Sequence, residues 1–181
     1  MKATGIVRRI DELGRVVVPK EIRRNLHIRE GDQIEIFTDA GGQIVLKKYS
    51  PIGEWKGLAV QCAEALALTT GFTAAVADRE QILWAAGPCR KELMARSLSG
   101  EMEGIIDGRR QVLSSGEEGG YHSVFGEQEH FAWEVICPIL SQGDAVGAVM
   151  LVSRNLQMEM GEKERLVISA VANFLGRQLE N

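Results

Sequence analysis

Gly14-Arg15-Val16-Val17-Val18-Pro19-Lys20-Glu21-Ile22-Arg23-Arg24-Asn25-Leu26 packs a strand, a helix start and much of a basic surface into thirteen residues. The β-branched run Val16 to Val18 favours an extended backbone, and Pro19 ends it. Proline is tolerated where a helix opens, because the N–H it lacks would have no intrahelical partner there and its fixed φ suits the first turn. The stretch predicts a strand over 14–18 running straight into a helix over 19–27. At about 100° per residue, Lys20, Arg23, Arg24 and His27 share one arc, and Ile22 and Leu26 the neighbouring one. One face is cationic and the next apolar.

A charged stripe on a short helix is most often a solvated face, so its neighbours decide the reading. Arg8 and Arg9 precede the turn Asp11-Glu12-Leu13-Gly14, and Arg15 follows it. A hairpin between a first strand over 3–10 and the second over 14–18 would bring the three arginines together. From residue 2 to residue 24 there are seven basic residues (Lys2, Arg8, Arg9, Arg15, Lys20, Arg23, Arg24) against three acids (Asp11, Glu12, Glu21), a local net of +4 in a chain whose total is −4.

That asymmetry divides the chain of 181 residues into two domains, 1–50 with ten basic and seven acidic residues and 51–181 with eleven and eighteen. An acidic total does not argue against nucleic acid, since the relevant field is that of the domain. Two more strands, Gln33 to Phe37 and Gln43 to Lys47, flank a turn of Asp39, Ala40, Gly41 and Gly42, with Ile34, Ile36, Ile44 and Leu46 at the period of two expected of a half-buried sheet. A domain of about 50 residues without cysteine sits near the lower limit for folding alone. A second copy is expected to complete its core, doubling the basic surface across a two-fold axis.

The run Ala3 to Arg24, with the later Ile44-Val45-Leu46-Lys47-Lys48-Tyr49, resembles the AbrB family of swapped-hairpin DNA-binding domains. The resemblance covers about 50 residues and implies an intertwined, mainly-β dimer whose protomers exchange hairpins. The family's DNA-contacting arginines fall on Arg8, Arg15, Arg23 and Arg24, with Arg9 and Lys2 as flanking candidates. Guanidinium suits both tasks at a DNA surface, pairing bidentately with phosphate and with the major-groove edge of guanine.

Pro51 closes the first domain. A helix is expected from Ile52 to Thr69, with Trp55, Ala59, Cys62 and Leu66 on a heptad-like seam that Leu58, Ala65 and Leu68 widen. A second helical stretch is expected over 94–98, and a last helix over 161–179 with Leu166, Val167, Ala170, Val171, Phe174 and Leu175 as its apolar stripe. Strand pairs are expected at Phe72 to Asp78 with Gln81 to Ala86, and at Trp133 to Leu140 with Ala145 to Val152. This order describes an α+β domain, helices packed on an antiparallel sheet. Val135-Ile136-Cys137-Pro138-Ile139 followed by Val146-Gly147-Ala148-Val149-Met150-Leu151 resembles the closing strands of GAF domains, the small-molecule sensor fold.

With that long second domain attached, the whole chain resembles sporulation regulators of endospore-forming bacteria. The resemblance implies a DNA-binding transcriptional activator and repressor of spore genes in the forespore. It also implies a tetramer in which the first and last helices of the second domain join two swapped dimers. Promoter DNA and further copies of the chain are thus the expected partners. Segment 87–131 is the expected lining of an effector pocket, yet no phosphate-cradling glycine loop stands there and no effector is assigned.

No cofactor and no metal is expected. His122 and His130 with Glu127 and Glu129 have no recognised ligand spacing. Some GAF domains are free methionine sulfoxide reductases. Of Cys62, Cys89 and Cys137, only Cys89, beside Arg90 and Lys91, has basic surroundings, and one such thiol is not a redox pair, so an enzyme is not expected. Two further alternatives are a metabolite sensor whose first domain only dimerises, and an antitoxin-like module, which would append a short toxin-binding tail and not 130 ordered residues. The widely spaced cysteines look like reduced thiols, and no apolar run reaches the roughly 18 residues of a membrane span. The N-terminus enters the strand pattern without a signal-peptide apolar segment, so a cytoplasmic protein is expected.

Overall fold

Pro19 opens α1 (Lys20–Asn25) with φ −58° and ψ 150°, an extended residue feeding directly into the helix. The helix ends sooner than the apolar and basic spacing predicts, because Ile28 N–H bonds back to Arg23 O at 2.7 Å and turns the chain away. The computed structural model describes residues 5–26, 28–94, 96–115, 124–125 and 131–180, with the backbone alone at 53 and 54. The chain divides into two compact units, Met1–Tyr49 and Ser50–Asn181.

In the first unit, β1 (Ile34–Thr38) and β2 (Ile44–Lys48) pair antiparallel with Ile36 opposite Leu46. Asp39 fixes their turn: its carboxylate accepts from Gly41 N–H and Gln43 N–H, and Gly42 takes the left-handed φ of +75° that the turn requires. The sheet face predicted to be buried is bare in this unit, with Ile36, Ile44 and Leu46 all exposed, since no second layer covers it.

The first hairpin departs from expectation. Its turn forms, with Asp11 N–H on Arg15 O at 3.1 Å and Gly14 N–H on Asp11 O at 3.0 Å. Beyond the turn, the arms over 5–10 and 15–18 belong to no ladder. An isolated two-stranded hairpin is marginal in water without a surface to pack on. A single copy offers these arms none, and Val7 and Val17 stand 84% and 72% exposed.

The second unit is a five-stranded antiparallel sheet of order β4-β3-β7-β6-β5. Its strands are β3 (Thr73–Ala77), β4 (Ile82–Ala86), β5 (Val112–Ser115), β6 (Trp133–Ser141) and β7 (Asp144–Ser153). The helix expected from Ile52 to Thr69 is two, α2 (Pro51–Glu54) and α3 (Lys56–Thr70), broken at Trp55. Ala59, Ala63 and Leu66 of α3 and Ile168, Ala172 and Leu175 of α6 (Glu162–Gln178) cover one sheet face, meeting Val135, Cys137 and Ile139. The other face carries α4 (Arg90–Leu93) and α5 (Gly100–Asp107) on Ala75, Ile136 and Met150.

Among the described residues of the stretch 94–98, namely 94 and 96–98, none is helical. Residue Ser97 bridges to Gln81, and Ser99 starts α5 instead by accepting from Met102 N–H at 3.2 Å. Strand β5 answers to no predicted element and pairs with β6, Leu113 opposite Val135. Residues Ala65 and Leu68, expected in the α3 seam, are exposed, as are Leu166, Ala170 and Phe174 of α6. Among the described residues, no helix is long and apolar enough to cross a membrane.

Candidate nucleic-acid interface

Charge in the first unit is concentrated on two short pieces, the tip of the first hairpin and α1. The tip is built by Asp11. One carboxylate oxygen accepts from Leu13 N–H at 3.0 Å and from Arg15 N–H at 2.8 Å; the other accepts from Arg15 Nε at 2.8 Å. The Arg15 backbone N–H, then its guanidinium, hold the Asp11 carboxyl below the usual carboxylate range; desolvation opposes them, and the Leu13 N–H adds the least of the lowering contributions. Asp11 N–H in turn bonds Arg15 O, which pairs these two residues at the base of the tip.

The predicted contact residues then sort by what they already hold. Arg15 is paired with Asp11, its side chain 71% exposed. The Arg8 Nη1 donates to Val7 O at 3.1 Å, against its own backbone. Residues Arg9, Arg23 and Arg24 are exposed, and none of them forms an ion pair among the described residues. Arg23 and Arg24 close α1 while Glu21 lies in its first turn, the arrangement that suits the helix dipole. Lys20 is exposed at the start of the same helix; on the expected apolar arc Ile22 is half-buried but Leu26 is exposed, so that arc is only partly covered in this unit. Lys2 and His27 lie outside the described residues.

Such a surface can neutralise phosphates and present forked donors to base edges. Two features escape a reading by charge alone. Asp11 as the partner of Arg15 was missed, although an aspartate four residues before an arginine, with glycine between, is a readable turn signal. Residue Lys48, counted as basic, is neutralised by Asp32 at 3.2 Å in a largely buried pair.

The second unit offers little nucleophilic chemistry. Cys62 is half-buried in α3, and burial pushes its thiol up; burial does the same for Cys137 in β6, partly offset by a hydrogen bond with Ser169. Thiolate, not thiol, is the reactive form. Cys89, expected to be the most reactive, is buried at the start of α4 with its N–H on Thr73 Oγ1 at 2.8 Å, and the Arg90 guanidinium stacks over the Trp84 ring at 4.8 Å. His122, Glu127, Glu129 and His130 lie outside the described residues, as does the rest of 116–123 and 126–130 in the expected pocket lining. Among the described residues, no cluster of three or more metal-binding side chains occurs.

Comparison with known proteins agrees with this division. The family model "Stage V sporulation protein T C-terminal, transcription factor" matches residues 54–180, and "Antidote-toxin recognition MazE, bacterial antitoxin" matches residues 7–54. Stage V sporulation protein T of Bacillus subtilis is 44% identical over 180 residues, 99% of both chains. The transition state regulatory protein AbrB of the same organism is 61% identical over 51 residues, 28% of this chain and 52% of that protein.

For the second unit, the GAF-B domain of DevS from Mycobacterium smegmatis superposes with a TM-score of 0.54 at 13% identity, covering 68% of this chain and 91% of that one. A type II free methionine-R-sulfoxide reductase from Thermoplasma acidophilum superposes with a TM-score of 0.55 at 12% identity, covering 71% and 94%. Likeness at such identities is a likeness of fold, and fold alone does not carry an activity. An AbrB-like head therefore precedes a GAF-like α+β domain, and the match along both full lengths decides the family: the chain belongs to the stage V sporulation protein T family.

Proposed function

We propose that this chain is a DNA-binding transcriptional regulator that activates some spore-development genes and represses others, in the cytoplasm of the forespore. In this reading, residues 1–50 form the DNA-binding domain and 51–181 a domain for oligomerisation and sensing. Arg8, Arg15, Arg23 and Arg24 contact promoter DNA, with Arg9 and Lys2 flanking. The observation that carries the reading is the exposed, ion-pair-free set Arg9, Arg23 and Arg24 in a unit whose apolar arms are also bare. A second copy exchanging hairpins would cover those arms and double the basic surface. Exposed Leu68 on α3, with Leu166 and Phe174 on α6, supports a further association of dimers into a tetramer through these helices.

The test is binding of the full chain to a spore-gene promoter fragment and to scrambled DNA of equal composition. At least tenfold preference for the promoter is expected. Equal, weak binding to both would leave the head as a dimerisation device only.

A further inference from the structure

The first unit contains the same hydrogen-bonded turn twice, and only one copy carries an ion pair. In the first, the Asp11 carboxylate accepts from the N–H groups two and four residues on, Leu13 at 3.0 Å and Arg15 at 2.8 Å. In the second, the Asp39 carboxylate accepts from Gly41 at 2.9 Å and Gln43 at 2.8 Å. The backbone closes identically, Gly14 N–H on Asp11 O at 3.0 Å and Gly42 N–H on Asp39 O at 3.1 Å, with φ of +76° and +75° at the two glycines. Where the first turn has Arg15 the second has Gln43, and it closes with no ion pair. The turn itself therefore does not need the Asp11–Arg15 pair.

Nor does stability explain it. The pair is exposed, 71% at Arg15 and 39% at Asp11, and ion pairs at such sites contribute little. What the pair does is orient a guanidinium. Asp11 engages Nε alone, and neither Nη of Arg15 has a hydrogen bond among the described residues. A guanidinium gripped at Nε keeps its outer edge, the two Nη groups, for a bidentate partner, and it swings less.

We infer that Asp11 is a positioning residue for DNA recognition, holding Arg15 by Nε so that its outer edge meets one base or phosphate and not any phosphate within reach. The inference rests on the proposed DNA-reading role of Arg15. Its consequence concerns specificity. Asp11 also cancels one positive charge at the tip, which lowers affinity for every DNA sequence, so the pair would trade general affinity for discrimination.

The test uses the full chain carrying Asp11→Asn. Asparagine keeps the carbonyl that accepts from Leu13 and Arg15 N–H, so the turn survives, but it presents an amide to Arg15 Nε and frees the guanidinium. Folding is checked by circular dichroism and by the Arg15 Nε–H resonance, which should move on substitution. Binding to scrambled DNA is expected to tighten, with a salt slope steeper by about one unit per copy of Arg15 engaged. The promoter-to-scrambled ratio is expected to fall at least about fivefold, the scale of one base contact. Asp39→Asn, the same change in the turn without an arginine, should leave the ratio where it is.

A ratio within about twofold of the parent in Asp11→Asn, with Arg15→Ala still weakening promoter binding, would overturn the positioning role and leave the DNA reading standing. An Arg15→Ala variant with unchanged promoter binding would overturn both, because Arg15 would then touch no DNA.

Discussion

Arg23 and Arg24, adjacent on α1 and free of ion pairs among the described residues, are the residues whose removal is easiest to interpret. Neither supports the fold, so Arg23→Ala and Arg24→Ala should each leave circular dichroism unchanged and weaken promoter binding, by about 1–3 kcal/mol for a base contact. Unchanged affinity in both would remove α1 from the interface. At Asp11 the expected signature is in pH. Its carboxyl is depressed in the folded chain, so its contribution to the turn is complete above the ordinary aspartate value of about 3.9 and is lost as pH falls through the lower folded value. An NMR titration should place its midpoint below that ordinary value, and a midpoint at or above it would contradict the contacts described. The candidate arginines were legible because charge density survives any folding. The state of each was not: Arg8 folded on its own backbone, Arg15 held by Asp11 and Lys48 neutralised by Asp32 depend on local geometry that spacing alone does not fix.

Periodicity served the elements unevenly, and the reasons are physical. Strands β3, β4, β6 and β7 and helix α6 lie within a residue or two of their expected bounds, because long apolar runs broken by turn residues leave little choice. Strand β5 has four residues and owes its form to β6 beside it, a partner that no local pattern reveals. The stretch 94–98 has the helical spacing of Met94 and Leu98 but was claimed by a bridge to Gln81. Two glycines show how tightly the elements of the second unit pack. A Cβ at Gly176 of α6 would collide with Leu140 O, and one at Gly147 of β7 with Ala77 O and with Ile52 Cδ1 at 2.6 Å. Alanine at position 176 would gain about 1 kcal/mol in helix propensity. We nevertheless expect Gly176→Ala and Gly147→Ala to lower stability, by about 1–3 kcal/mol in urea denaturation, since overpacking outweighs propensity. A more stable Gly176→Ala protein would mean that α6 lies farther from β6 than described.

The whole molecule leaves apolar surface uncovered in both units. The arms with Val7 and Val17 and the sheet with Ile36, Ile44 and Leu46 are bare in the first; Leu68, Leu166 and Phe174 are bare in the second. Association of copies is the simplest cover, and light scattering should give a dimer or tetramer at micromolar concentration. Phe174→Asp with Leu166→Glu should reduce a tetramer to dimers without loss of the head's pairing, whereas a monomeric parent chain would remove the exchanged-hairpin account. At chain level, the signal in the sequence is charge: a basic segment of 50 residues precedes an acidic one of 131. The measurement that bears most directly on the central claim is a salt titration of full-chain binding to a spore-gene promoter and to its scrambled counterpart. With about six to eight phosphate contacts, log K should fall against log salt with a slope of roughly −5 to −7, and the promoter should bind at least tenfold tighter. A shallow slope with no preference for the promoter would contradict it, leaving the basic face a solvated surface.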